Sequence, residues 1–154
     1  MWRKDASFSD VLYIAKNMQE EFRREIYATR WDDDPASVAL QAMDGGSFCW
    51  VCGLERPIAA LGAVPVWPNV WQVWMFATDE LPRIRFSLTR FARRVMIPAL
   101  IKSGAHSAHC YVNEEFSSAH GWLTKCLGGK KSEPLKNFGR NKETFFIFSW
   151  SEEQ

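Results

Sequence analysis

Apolar and polar residues change period several times along the chain, and each change marks an element. Over residues 10–28 apolar side chains recur at helical spacing: Val11, Leu12, Ile14, Ala15 and Met18, then Phe22, Ile26 and Ala28. Lys16, Glu20, Glu21, Arg23, Arg24 and Glu25 supply the polar side. Ser9 or Asp10 is the expected N-cap. The run Trp31-Asp-Asp-Asp-Pro35 breaks this helix. Asp34-Pro35 reads as a new helix start, because proline is tolerated in a first turn. A short helix to about Met43 follows, ended by Gly45-Gly46.

The period then drops to two. Residues 47–55, 57–65 and 69–77 are short runs rich in aromatic and β-branched side chains, separated by Glu55-Arg56-Pro57 and Trp67-Pro68-Asn69. They predict an antiparallel meander. In the third run Val70, Gln72, Trp74 and Phe76 share one face, and Trp71, Val73, Met75 and Ala77 the other. Both faces are apolar, so this strand should be central and covered on both sides. Thr78-Asp-Glu-Leu-Pro82 opens a long helix over 82–102, with Ile84, Leu88, Phe91, Ala92, Val95 and Ile101 as its apolar stripe. Pro98 should kink or end its regular part, and Ser103-Gly104 closes it. A strand over 106–112 follows, then a helix over 117–127 ended by Gly128-Gly129. Two last strands, 130–137 and 143–150, flank a Gly139-Arg140-Asn141 turn. The order α-α-β-β-β-α-β-α-β-β is that of a mixed α+β domain, with one central sheet and helices on both faces.

Composition narrows the class. The 154 residues suit one domain, 1–154, and 47% apolar with 14% aromatic content argues against disorder. A net charge of +1 argues against a surface built throughout for nucleic acid or anionic membrane. The start carries no apolar core of signal-peptide length, and no apolar run reaches membrane-span length, so a cytoplasmic protein is expected. Cys49 and Cys52 form a C-x-x-C, but on a strand residues three apart point to opposite faces. They read as buried structural thiols, and no metal site is expected.

The near-zero net charge conceals segregation. Between Arg83 and Lys102 lie six basic residues, 83, 85, 90, 93, 94 and 102, and no acid. This is either a local anion site or a solvated face paired with acids elsewhere, such as Asp32, Asp33 and Asp34.

Three stretches carry a family resemblance. One is Asp10-Val-Leu-Tyr-Ile-Ala-Lys-Asn-Met-Gln with Glu25-Ile26 and Ala28. The second is Arg56-Pro57-Ile-Ala-Ala-Leu-Gly62, then Val73-Trp74-Met-Phe-Ala-Thr78-Asp79-Glu80-Leu81. The third is Tyr111-Val-Asn113, Trp122-Leu123 and Leu127-Gly128, with Gly139 before residues 145–148. With the element order, they resemble the GCN5-related N-acetyltransferase (GNAT) fold, and within it short GNAT-like proteins of tailed phages, some of them internal virion or assembly proteins. The resemblance makes residues 1–7 the first strand. It implies an acetyl-CoA-dependent N-acetyltransferase acting on an amine, such as a host protein lysine or N-terminus. The alternative is a catalytically degenerate member that acts as a virion or assembly component, or grips a host protein.

The resemblance also implies the site. Acetyl-CoA would lie where the fourth and fifth strands splay, against Phe76, Ala77 and Thr78, with Asn113 touching its pantetheine arm. Its diphosphate would sit at the start of the following helix, where the family's glycines are absent and Arg83 and Arg85 are the available cations. The family's strand glutamate and helix tyrosine are also absent, since Gln72 and Trp122 stand in those regions. Tyr111, His109 and His120 are the remaining candidates for proton transfer. The expected partners are acyl-CoA and a protein, a homo-oligomer is compatible with the chain, and neither a membrane nor nucleic acid is expected.

Overall fold

The computed structural model describes residues 1–44 and 48–152. The glycines expected to end the second helix, Gly45-Gly46, lie outside the described residues. Along the chain run β1 (Trp2–Asp5), α1 (Phe8–Lys16), α2 (Glu20–Ala28), α3 (Pro35–Asp44), β2 (Cys49–Gly53), β3 (Pro57–Trp67) and β4 (Val70–Ala77). There follow a 3-10 turn (Leu81–Arg83), α4 (Arg85–Phe91), a π turn (Ala92–Met96), α5 (Ile97–Lys102), β5 (Ser107–Asn113), α6 (Ser117–Gly121), a second π turn (Trp122–Cys126), β6 (Lys130–Lys131) and β7 (Phe145–Ser151). The seven strands form one sheet in the order β1-β2-β3-β4-β5-β7-β6. β4 pairs with β5 in parallel, and all the other pairings are antiparallel.

β4 takes the fourth place in the sheet, the central position that its two apolar faces require. β2, β3 and β4 form the expected meander. Its closeness is set by Gly62, where a Cβ would meet Phe48 O at 2.3 Å and the Trp74 ring at 2.6 Å. Cys49 and Cys52 are both buried, and burial pushes their thiols up to about 11. They belong to the core.

Three local expectations are corrected, and a fourth is met. The first helix is capped by Ser7, whose hydroxyl accepts the Asp10 N–H, and not by Ser9 or Asp10. The stretch 8–28 is two helices, not one. Met18 forms an isolated antiparallel bridge with Thr78, and Gln19 N–H donates to Ala77 O at 2.9 Å, so the sheet claims the backbone there. Near Pro98 the helix is irregular, as expected: α4 gives way to a π turn, and Pro98 lies in the first turn of α5. The π turn just before it widens the helix where the proline ring would otherwise crowd an upstream carbonyl. The sixth strand shrinks to Lys130–Lys131 because Pro134 removes a donor from the ladder.

Candidate functional site

The register between β4 and β5 makes the site. Val70, Trp71 and Gln72 pair with Ser107, Ala108 and His109, and there the pairing stops. Beyond Gln72 the edge of β4 that faces β5 has no strand partner until Ala77 O takes the Gln19 N–H. The two strands part around a cavity of about 980 Å3. Trp74 and Phe76 from β4, Cys110 and Tyr111 from β5, and Trp122 contribute to its wall, together with Gln19 and, from α2, Phe22, Glu25 and Ile26.

Glu25 is the group that the sequence pattern misplaces. It counts as one of the polar-side residues of the first helix, yet it projects with Phe22 and Ile26 into the cavity. Its Oε1 accepts the Asn113 N–H at 2.8 Å. Burial pushes its carboxyl up to about 7, against the partial relief of that hydrogen bond. Cys110 is neighbour to it, and burial first, then the Glu25 charge, raises that thiol to about 12. Gln19 adds a second unusual group, a buried side-chain oxygen with no hydrogen-bond partner among the described residues.

The residues singled out from sequence divide into two groups. Phe76, Tyr111 and Arg85 line the cavity. Phe76 stacks on Trp74 at 5.6 Å, and Tyr111 stacks on Phe138 at 5.2 Å. Asn113 and His120 stand just behind, because His120 Nε2 lies 2.9 Å from Asn113 O while Asn113 N–H holds Glu25. The Asn113 side chain accepts the Glu115 N–H at 3.0 Å. Ala77 and Thr78 sit at the end of β4, where Thr78 N–H donates to Ile58 O. His109 meets Tyr111 edge to face at 5.6 Å but lies off the cavity wall, and burial lowers its pKa. Trp122 donates its indole N–H to Thr89 Oγ1 at 2.8 Å.

Arg83 is not a free cation. It forks onto Glu55 through two hydrogen bonds of 3.0 and 3.1 Å and reaches Glu80 Oε1 at 2.8 Å. Arg56 completes the cluster 3.4 Å from Glu80 Oε2. No protein-family model and no curated protein matches the chain.

Solved structures do. Ard1 from Thermoplasma volcanium superposes with a TM-score of 0.74 at 12% identity, over 99% of this chain and 98% of its own. YncA from Salmonella typhimurium, solved with its cofactor acetyl-CoA, gives 0.71 at 10% identity over 99% and 94%. A GNAT-family acetyltransferase from Bacillus anthracis gives 0.70 at 9% identity over 99% and 95%. This chain has the GNAT fold.

Set against the GNAT expectation, the gap between β4 and β5 and the turn before α4 are the two places that bear on acetyl-CoA. An extended arm with amide groups could pair with the β4 edge, and the Gln19 side-chain oxygen in the same cavity lining is buried with no partner among the described residues. In the turn before α4 the N–H groups of Thr78, Glu80, Leu81, Arg83 and Ile84 bond within the protein and Pro82 has none, while those of Asp79, Arg85, Phe86 and Ser87 have no hydrogen-bond partner among the described residues. Glu80 is engaged by Arg56 and Arg83, and Arg83 is held by Glu55 and Glu80.

Proposed function

We propose that this protein is an N-acyltransferase of GNAT fold, with an amine as acceptor, on a protein lysine or N-terminus, and acetyl-CoA as the first donor to test. The observation that supports this most directly is Glu25: a carboxyl with a pKa near 7 in the wall of the cavity between the splayed strands. An amine attacks only after shedding a proton, and a base poised near neutral pH is suited to take it. When bound, the thioester supplies the electrophilic carbonyl. Glu25 Oε2 is the oxygen we assign to the amine proton, since Oε1 is engaged by Asn113. Tyr111 on the β5 wall offers a phenolic proton on the opposite side of the cleft. His120 acts through Asn113, holding the carbonyl of the residue whose N–H fixes the Glu25 carboxylate.

Acetyl transfer to peptides bearing a free N-terminus or a lysine, read by mass spectrometry, tests the assignment. Glu25→Gln should lower the rate about 100-fold and remove the inflection near pH 7. A variant as fast as the parent refutes Glu25 as the base. The second reading, a catalytically silent phage virion or assembly component or a host-protein-binding effector, is favoured by the ion pairs at the β4–α4 loop. It predicts no transfer and no thermal shift with any acyl thioester.

A further inference from the structure

Two faces of α2 look onto different cavities. Phe22, Glu25 and Ile26 line the one between β4 and β5, while Arg23, Arg24 and Tyr27 line a second of about 510 Å3. The two share no lining residue. The second lies between the end of α1, the start of α3, the end of β5 and the loop that leads into β7. Tyr27 is only 8% exposed, and its hydroxyl has no hydrogen-bond partner among the described residues. Burial, the main influence on it, pushes the phenol up, so it keeps its proton and stays a donor. A buried donor of this kind costs stability until a partner is supplied. The charges around it are only partly matched. Arg140 pairs with Asp33, and Arg24 with Glu20 at 3.2 Å. Lys16, Arg23, Glu115 and Glu143 make no ion pair among the described residues. Arg23 is steadied by a neutral acceptor, Met18 O at 3.3 Å, and one oxygen of Glu143 accepts the Asn141 N–H at 2.8 Å. Unpaired charges of both signs therefore border one cavity.

We propose that this second cavity binds a small zwitterion of the α-amino-acid class, with its carboxylate on Arg23, Lys16 and the Tyr27 hydroxyl and its ammonium on Glu115. A carboxylate accepts what an arginine, a lysine and a phenol donate. An ammonium group gives the unpaired carboxylate across the cavity its partner. A phosphate would set two negative charges against Glu115 and Glu143, and a plain amine would meet Lys16 and Arg23 with nothing to offer them. The volume is in the range of small-molecule sites. The ligand is not the acceptor of the transfer reaction, because Glu25 faces the other cavity across α2. The site stands whether or not the protein transfers an acyl group.

The test is calorimetric titration of the intact protein with each of the common L-amino acids, and with acetate, methylamine and inorganic phosphate. At least one amino acid should bind, about tenfold or more tightly than acetate or methylamine, since each of these satisfies only half of the charges. Tyr27→Phe keeps the ring and removes only the unpaired hydroxyl. Without ligand it should melt no lower than the parent, and its affinity for that amino acid should fall about tenfold. Glu115→Gln should also weaken the amino acid while leaving acetate unchanged. Glu25→Gln, on the other side of α2, should leave the affinity as it is. Absence of heat with every amino acid overturns the proposal, as does phosphate binding more tightly than any of them. Tyr27→Phe melting below the parent overturns it too, because the hydroxyl then has a structural partner. Binding that Glu25→Gln abolishes and Tyr27→Phe spares places the amino acid between β4 and β5 as an acceptor, which refutes the second site and leaves the acyltransferase reading intact.

Discussion

A carboxyl that titrates near 7 in the fold and near 4.5 in a solvated chain makes stability depend on pH in one direction. Between those values folded Glu25 keeps a proton that the unfolded chain has released, so stability falls as pH rises through the window. Above it the full cost of a charged carboxylate in the cavity wall is present, about 3 kcal/mol from the size of the shift. Other groups also titrate, so the informative quantity is the difference between the parent and Glu25→Gln, which keeps the shape of the side chain and cannot ionise. The variant's Tm should match the parent's near pH 4, below both values, and exceed it by several degrees near pH 8. Parallel Tm profiles would show that Glu25 is solvated. Counted by polarity it falls with Glu20 and Glu21, yet it is among the residues that carry the family resemblance and stands three after Phe22 and seven after Met18, in the spacing of the apolar stripe. Its role comes from where α2 begins, which local pattern does not set. Tyr111 and Phe76 come from the family resemblance, and both line the cavity.

That starting point is decided by the interface of α2 with β4. The apolar stripe runs unbroken through residues 10–28, with no glycine or proline to stop a helix, so the sequence reads as one element. Met18 and Gln19 give up helical hydrogen bonds for the edge of β4, at Thr78 and Ala77. A long-range bond of this kind has no local signature. The irregularity near Pro98 does have one, the proline itself. The strand meander is likewise plain from period two and turn residues. Gln19 has φ of −53° and ψ of 143°, which a proline can adopt. Gln19→Pro therefore deletes the donor to Ala77 without straining the chain. It should lower stability by about 1 kcal/mol in urea melts. Amide exchange should accelerate over α2 and leave β2 and β3 unchanged. Unaltered exchange in α2 would mean that packing of Phe22 against Phe116, at 4.9 Å, suffices to hold it.

Across the whole molecule the sheet consists of two blocks, β1 to β4 and β5 with β7 and β6, joined strand to strand only at Val70, Trp71 and Gln72 opposite Ser107, Ala108 and His109. Order and composition foretell a central sheet with helices on both faces. They do not foretell how short this join is, because parallel register depends on the connecting helices and not on either strand's own alternation. A short join leaves backbone groups of β4 past Gln72 to water or to a ligand, and unpaired strand edges exchange readily. A molecule that enters between the blocks must therefore act on both at once. Acetyl-pantetheine at 100 times its Kd should stabilise the fold by about 2.7 kcal/mol if it binds only the native state. Its signature in hydrogen exchange should be paired: slower exchange on β4 at residues 73–76 and on β5 at residues 110–113, with β1 and β2 unaffected. Protection confined to α4 and α5 would mean that the ligand sits on the surface and that the gap between the blocks is not its site.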